Sequence, residues 1–507
     1  MSGLQRHYSI GAELQPVGGT HFRVWAPLPQ RLEVLLEAGP GAPGVIALEK
    51  EQDGYFAGLV PQAAAGTCYR FRLDDAGSFP DPASRYQPDG PFGASQVINP
   101  SAFVWSDRGW QGAELKGQVI YEMHIGTFTK AGTWQAARQE LAELADCGFT
   151  LLELMPVAEF PGRFGWGYDG VGMFAPFHRY GEPDDFRGFV DAAHCLGLGV
   201  IIDVVYNHFG PDGNYLKEFS PDYFTNKYVG EWGEPINFDS DKAGPVREFF
   251  LSNAAYWIKE FHIDGLRLDA TQAIFDASSV NIITTIGQRV REAAHGRKTI
   301  IVAENEPQLT RLVRPVEEGG YGLDALWNDD FHHSAMVAMT GRCEAYYTDY
   351  LGKAQEFISM VKYGYLYQGQ RYKWQQQRRG TPGLRLPPER FVTFIQNHDQ
   401  IANSGSGERV QFLTSPGRLR AMTALLLLMP GTPMLFQGQE FAASSPFHYF
   451  ADHNPELSKL VGEGRVKVLS QFRSLDTSEM LLCRIDPADP ATFERCKLDF
   501  SERERHR

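Results

Sequence analysis

The sequence is sparing with cysteine, has no long unbroken apolar run and carries no excess of positive charge. Its six cysteines, Cys68, Cys147, Cys195, Cys343, Cys483 and Cys496, form no CxxC pair and are too sparse in 507 residues for a disulfide scaffold. Reduced, structural thiols are expected. The strongest apolar run, Ala421 to Met429, stops at Pro430, well short of the roughly 20 residues that a membrane span requires. The N-terminus, Met1-Ser2-Gly3-Leu4-Gln5-Arg6-His7, lacks the apolar core of a secretion signal, so a cytoplasmic protein is expected. With 48 Lys and Arg against 62 Asp and Glu, the net charge of -14 repels phosphate backbones and anionic membranes. Neutral ligands are the natural candidates, with neither nucleic acid nor membrane as partner.

What the chain does have is material for a large core, 43% hydrophobic and 13% aromatic residues, with enough left for an accessory domain. From Thr20 to about residue 100 short alternating runs are separated by Gly- and Pro-rich turns, for example His21-Phe22-Arg23-Val24-Trp25 and Cys68-Tyr69-Arg70-Phe71-Arg72-Leu73. That pattern predicts a small N-terminal β-sandwich over residues 1–100. Near Val119 the style changes to apolar strand-like runs alternating with amphipathic helical stretches, the mark of βα units and a parallel sheet. Strands are expected at Val119 to Met123, Thr150 to Met155, Val200 to Val205, Gly265 to Asp269, Ile300 to Glu304, Ala325 to Trp327, Phe391 to Gln396 and Pro433 to Phe436. Such a set closes an α/β (β/α)8 barrel over residues 101–507. Helices are expected at Gln135 to Cys147, Asp185 to Leu196, Pro245 to Phe261, Asn281 to Ala294, Glu344 to Val361, Arg418 to Leu428 and Glu456 to Phe472. The irregular excursion 206–241 after the third strand reads as an inserted lid.

Three of these apolar strands end on a carboxylate, at Asp269 and Glu304 directly and near Asp399 after Gln396. Strand C-termini in a barrel open onto the substrate, so the three acids share one floor. Arg267 and Asp269 are two apart on a strand and point the same way, and a guanidinium there is expected to depress the Asp269 pKa and keep a nucleophile ionised. A helix-capping Asp is the structural alternative. Glu304 is the candidate proton donor, held neutral by the charges of Asp269 and Asp399, with Glu306 as its rival. Working carboxylates roughly 5–5.5 Å apart would make the reaction retaining. Asp399 with His398 and Asn397 would bind ring hydroxyls, unless the segment is only an Asx-turn. Asp203 and His208 end the third strand, and Tyr168, in Gly165-Trp166-Gly167-Tyr168-Asp169-Gly170, offers a ring to a sugar face unless it serves loop packing.

The strings Asp203-Val204-Val205-Tyr206-Asn207-His208, Asp264-Gly265-Leu266-Arg267-Leu268-Asp269, Ala303-Glu304-Asn305 and Asn397-His398-Asp399, in this order, resemble the α-amylase superfamily of retaining glycosidases over nearly the whole chain. Within it the chain is most similar to the maltooligosyltrehalose trehalohydrolases, through Ile120-Tyr121-Glu122-Met123-His124, Asn328-Asp329-Asp330-Phe331-His332-His333 and Phe436-Gln437-Gly438-Gln439-Glu440-Phe441. The resemblance implies hydrolysis of the α-1,4 bond beside the terminal trehalose of maltooligosyl trehalose or a related α-glucan. It implies Asp269 as nucleophile, Glu304 as acid/base, Asp399 as transition-state stabiliser, and no metal or cofactor in the chemistry. Asp329, Asp330, His332 and His333 would line the trehalose side, unless they serve polar packing. Glucan branching and glycan binding without catalysis are the competing functions. Family members continue past the equivalent of Arg507 through a closing helix and a C-terminal β-domain, so an uncovered apolar flank on strands one and eight is expected.

Overall fold

Between Gly11 and Gln96 the alternating runs form antiparallel strands in the computed structural model, which describes residues 4–404, 406–474 and 485–505. One sheet orders Gly11–Leu14, Thr20–Trp25, Tyr55–Val60 and Glu49–Lys50. The other orders Gly44–Ala47, Leu32–Ala38, Cys68–Leu73 and Gly77–Phe79, with Ser95–Gln96 also paired to Cys68–Leu73. Along Cys68–Leu73 every second residue, Tyr69, Phe71 and Leu73, is buried, as a strand covered on one face requires. Phe22 of the first sheet meets Tyr69 and Phe71 of the second edge-on, with centroids 4.8 and 6.4 Å apart, so the two sheets share a core.

The closed barrel follows, with parallel strands β1 (Ile120–Met123), β2 (Leu151–Leu154), β3 (Gly199–Val204), β4 (Gly265–Leu268), β5 (Ile300–Ala303), β6 (Ala325–Trp327), β7 (Phe391–Phe394) and β8 (Thr432–Phe436). All lie within two residues of the expected ends, and β8 pairs back onto β1. Every residue of β1 to β5 is buried, because helices cover the outside and side chains fill the inside. Trp134–Gln139 with Leu141–Asp146, Pro183–Cys195, Ala243–Glu260, Ile282–Ala293, Pro416–Leu428 and Pro455–Leu469 form close to where periodicity predicts helix.

Glu344 to Val361 does not form one helix. Asn328 caps a helix at Asp329–Thr340 by accepting from the Phe331 amide (3.2 Å), and Gly341, at φ 73°, ends it. A 3-10 turn follows at Ala345–Tyr347, then a helix at Ala354–Tyr363, whose Glu356 carboxylate accepts from the Leu351 and Gly352 amides.

The inserted segment after β3 is anchored, not free to swing as a unit. Phe219 and Tyr223 are buried in it, and their rings sit 6.3 Å from Phe71 and 5.1 Å from Trp25 of the sandwich. Its large exposed apolar side chains are at the tip, with Val229 92% and Trp232 46% exposed. The apolar flank of strands one and eight, expected to be bare, is covered among the described residues. Leu498 is buried and its amide donates to the Thr127 carbonyl (2.9 Å), while the Phe500 ring packs on Phe128 (5.3 Å) and Phe441 (6.0 Å). Exposed apolar surface lies instead on Pro416–Leu428, where Leu428 is 85% exposed. Of the cysteines, the five in the described residues are free thiols, and Cys483 lies outside those residues.

One glycine sets the distance between the two strands that carry the acids. A Cβ on Gly265, at the start of β4, would fall 1.7 Å from the carbonyl oxygen of Ile300 on β5. Gly265→Ala must push the strands apart, at about 3 kcal/mol for an overpacked core. The expected result is a melting midpoint several degrees lower with loss of activity; an unchanged midpoint by calorimetry would show that the strands do not meet there.

Candidate active site

The register of the barrel decides which side chains meet. Asp203 on β3 and Val302 on β5 are the Cα partners of Arg267 on β4, so Arg267 lies between the ends of three strands. Its guanidinium is completely buried. Nη1 donates to Asp203 Oδ2 (2.5 Å) and Asp269 Oδ1 (2.8 Å), and Nη2 donates to Glu304 Oε2 (2.9 Å). The Trp327 ring of β6 lies 4.2 Å below its carbon, a cation–π contact in a desolvated site. One cation thus touches three of the acids picked out by sequence.

Asp269 follows the last residue of β4. Asn207 donates to its Oδ2 (2.7 Å) and its carbonyl oxygen (3.0 Å). Ala270 then adopts a left-handed conformation, φ 39°, which turns its amide back onto Glu304 Oε2 (3.0 Å). Both hydrogen bonds to Glu304 fall on Oε2, which leaves Oε1 to carry a proton. The Glu304 backbone carbonyl is held as well, by the Thr271 amide (3.0 Å) and hydroxyl (2.6 Å).

Burial pushes the Glu304 carboxyl up to about 7, opposed by Arg267 and reinforced by Asp269 and Asp399. Asp269 departs from expectation: burial raises it above the ordinary carboxylate range, and Arg267 and Asn207 only hold it back. Asp269 nevertheless has a donor on each oxygen, Arg267 on Oδ1 and the Asn207 side chain on Oδ2, whereas both donors to Glu304 share Oε2, so Asp269 is the one with no oxygen left bare for a proton.

The remaining candidates divide by access. Asp399, 41% exposed, stands at the start of a short helix (His398–Ala402) capped by Asn397, with Oδ2 3.7 Å from His398 Nε2. Tyr168 is half-buried and lies over the His398 ring (5.3 Å, 21°), with its hydroxyl 2.7 Å from Asp203 Oδ2 and 2.9 Å from His398 Nε2. His208 is half-buried beside Asn207 Oδ1, and burial lowers its pKa. Asp203 itself is only 4% exposed; it secures Tyr168 and Arg267 and presents little surface to a sugar. Glu306 turns away from Arg267 to meet Arg379 and Gln375 (2.6 Å), on and beside the Arg371–Tyr372/Gln377–Arg378 hairpin.

Of the four trehalose-side candidates only Asp329 borders open space, with its side chain 17% exposed and its carboxyl pushed up to about 7 by burial despite Arg379. The structure places the other three inside the protein, a correction to the sequence reading. Asp330 is fully buried and accepts from Gln308 (2.9 Å), Tyr350 (2.6 Å) and the amides of Leu366 and Tyr367 (both 2.9 Å). His332 is spent on the Ile395 carbonyl (2.6 Å) and the Tyr347 hydroxyl (2.9 Å). His333 packs against Tyr346 and Tyr350. The helix that begins at Asp329 carries these three into the core.

Glu122 on β1 and Trp327 on β6 were not singled out as site residues by sequence. The signal for Glu122 was present: an acid inside the apolar strand Ile120-Tyr121-Glu122-Met123 must face the barrel interior or be costly.

Comparison with known proteins agrees with this geometry. Residues 97–244 match the family model described as α-amylase, catalytic domain. The malto-oligosyltrehalose trehalohydrolase of Saccharolobus solfataricus is 39% identical over 95% of this chain and 82% of its own length. That of Deinococcus radiodurans is 39% identical over 98% and 80% respectively. A 1,4-alpha-glucan branching enzyme from Pseudoalteromonas atlantica is 28% identical over 94% and 68%. Among solved structures, an α-amylase-type protein of Salmonella typhimurium superposes with TM-score 0.90 at 38% identity, covering 98% of this chain and 83% of that one.

Placement of His332 in the core is testable. His332→Leu should strand the Ile395 carbonyl and Tyr347 hydroxyl, lowering stability by about 1–3 kcal/mol, while KM for oligosaccharide moves less than about twofold. A rise in KM with an unchanged unfolding midpoint would return His332 to the substrate site.

Proposed function

The chain belongs to the malto-oligosyltrehalose trehalohydrolase family, and from that premise we propose that it hydrolyses the α-1,4 bond adjoining the terminal trehalose of a trehalose-capped glucan, with retention of configuration. The observation that carries the reading is the contact of one buried guanidinium, Arg267, with both Asp269 and Glu304. Two carboxyl groups bordering one cation at neighbouring strand ends, one ionised and one neutral, are what a retaining displacement uses.

Asp269 Oδ attacks the anomeric carbon as the C–O bond to the leaving sugar breaks. Glu304 passes the proton on Oε1 to the departing oxygen, leaving a glycosyl ester on Asp269. Water then attacks from the leaving-group side while Glu304, now anionic, takes its proton, and the ester opens to release the sugar. Asp399 faces the ring as positive charge develops on it, and Tyr168 supplies a partly exposed aromatic surface. Asp329 is the trehalose-side contact in this assignment. No helix among the described residues is long and apolar enough to cross a membrane.

Glucan branching would use the same ester and differ only in its acceptor, and 28% identity to a branching enzyme keeps it as the second reading. Incubation with maltopentaosyl trehalose and, separately, with amylose distinguishes them. Free trehalose from the first is expected; new α-1,6 branches in the second without trehalose release would favour the transferase. Asp269→Asn should lower kcat by at least about 10³-fold with oligosaccharide binding largely intact, and undiminished turnover would discard the nucleophile.

The acid must be protonated to act, so kcat/KM should fall as pH rises through about 7, the value to which burial lifts Glu304. Glu304→Gln should remove that alkaline limb while leaving only residual turnover. A flat profile from pH 6 to 9 in the parent enzyme would rule out Glu304 as the proton source.

A further inference from the structure

Beneath the three acids lies a second charged layer that the displacement itself does not use. Glu122 on β1 and Glu153 on β2 are register partners in the parallel pair, and each is 2% exposed. Glu122 grips His398 at two points: Oε2 accepts from the His398 amide (3.2 Å) and Oε1 from Nδ1 (2.5 Å). On the other side of the ring, Nε2 lies 2.9 Å from the Tyr168 hydroxyl.

With Asp203 ionised against Arg267, one proton arrangement satisfies every contact along this chain. Tyr168 has a single proton, and its oxygen stands 2.7 Å from Asp203 Oδ2, a carboxylate already paired with Arg267. With that proton given to Asp203, the tyrosine oxygen can only accept from His398 Nε2. Nδ1 faces a carboxylate and must also donate. His398 therefore carries both protons.

We propose that Glu122 is a positioning residue of the catalytic site: its carboxylate holds His398 as an imidazolium, and that cation keeps the Tyr168 hydroxyl directed at Asp203. The proposal deepens the trehalohydrolase reading and rests on it for its activity readout.

The groups facing His398 from the surrounding elements support the assignment. They are Glu122, Glu153, Asp203 and Arg267 on β1 to β4, with Tyr168 and His124 from the loops and Asp399 on the same short helix as His398. Trp166 and Trp327 complete the enclosure with neutral rings. Burial acts to lower the His398 pKa, but the Asp399 and Glu122 carboxylates overcome it and hold the ring at about 9. Glu153 is pushed far above the carboxylate range by burial and by Glu122, so it stays neutral. Of this buried pair, Glu122 is the one in contact with the cation.

Removing the Glu122 charge reverses the chain. In Glu122→Gln the amide oxygen can still accept from Nδ1–H, but the buried carboxylate in contact with the ring is gone and only the partly exposed Asp399, 3.7 Å from Nε2, still favours the cation, so His398 loses its proton at lower pH and gains a lone pair on Nε2. Tyr168 then donates to His398 instead of Asp203, and the hydroxyl that secured Asp203 and Arg267 is withdrawn.

Nitrogen-15 NMR of histidine-labelled enzyme reads this directly, with His398 assigned by the signal lost in His398→Asn. The intact enzyme should show both His398 nitrogens protonated at pH 8, and Glu122→Gln should show one of them bare by pH 7.5. On maltopentaosyl trehalose, kcat of Glu122→Gln should drop about tenfold between pH 5.5 and 7.5 beyond any change in the parent, as expected for an imidazole returned to an ordinary pKa near 6.5. Glu122→Asp, which restores the charge, should recover the parent profile. A neutral His398 in the parent enzyme at pH 8 overturns the proposal even if the glutamine variant fails to fold, and so does an unshifted His398 titration in that variant. Absence of trehalose release by the parent would instead overturn the substrate assignment and leave the NMR result standing.

Discussion

Everything in the site is organised around the Arg267 guanidinium. It is completely buried and bonded to Asp203, Asp269 and Glu304 from β3, β4 and β5, so the charge it brings into the barrel is what allows that many acids to converge there. Burial raises the pKa of all of them, desolvation being the largest influence on each, and Arg267 opposes it. Taking the arginine away would leave Asp203 and Asp269 buried without a counter-charge, a loss of about 3–5 kcal/mol for a broken buried pair. The Trp327 face beneath it and the Asn207 amide beside Asp269 restrict how this cluster can relax.

The same cluster makes unlike groups of two chemically similar acids. Asp269 has Arg267 and Asn207 as charge-stabilising donors. Glu304 has Arg267 and one backbone amide, both on Oε2, so its Oε1 is left for a proton, while neighbouring carboxylates act on both acids. The left-handed turn at Ala270 is what delivers that amide, and the close approach at Gly265 is what lets β4 and β5 stand near enough for one arginine to reach both. Local backbone geometry, barrel register and acid strength are in this way one problem. A second pairing, Glu122 with His398, extends the arrangement across the barrel through Tyr168 to Asp203, so five of the eight strands contribute a charged or tryptophan side chain to the contacts around Arg267 and His398, counting β1, β3, β4, β6 and the acid just past β5.

Much of this was legible in the sequence because a parallel barrel strand must be apolar on both faces. An acid at the end of such a run stands out, as Asp269 and Glu304 do, and the two-residue step from Arg267 to Asp269 puts both on one face. The eight strands were legible for the same reason. What the sequence concealed were groups whose direction depends on a helix not foreseen. Asp330, His332 and His333 look functional in a row of polar residues, but the Asn328 cap starts a helix that turns them inward, onto Tyr350, the Ile395 carbonyl and the tyrosine rings. The pKa of Asp269 was misjudged because the arginine was visible in sequence and the depth of burial was not. The packing of Leu498 and Phe500 onto Thr127 and Phe128, just past β1, depends on contacts across hundreds of residues, to which periodicity is blind.

The central claim is that Asp269 attacks while Glu304 holds the proton. The most direct test is covalent trapping with a 5-fluoro-α-glucosyl fluoride, followed by peptide mapping of the labelled enzyme by mass spectrometry. The account predicts one glucosyl ester, on the peptide containing Asp269. A label on Glu304 or Asp399, or full inactivation without any ester, would contradict it.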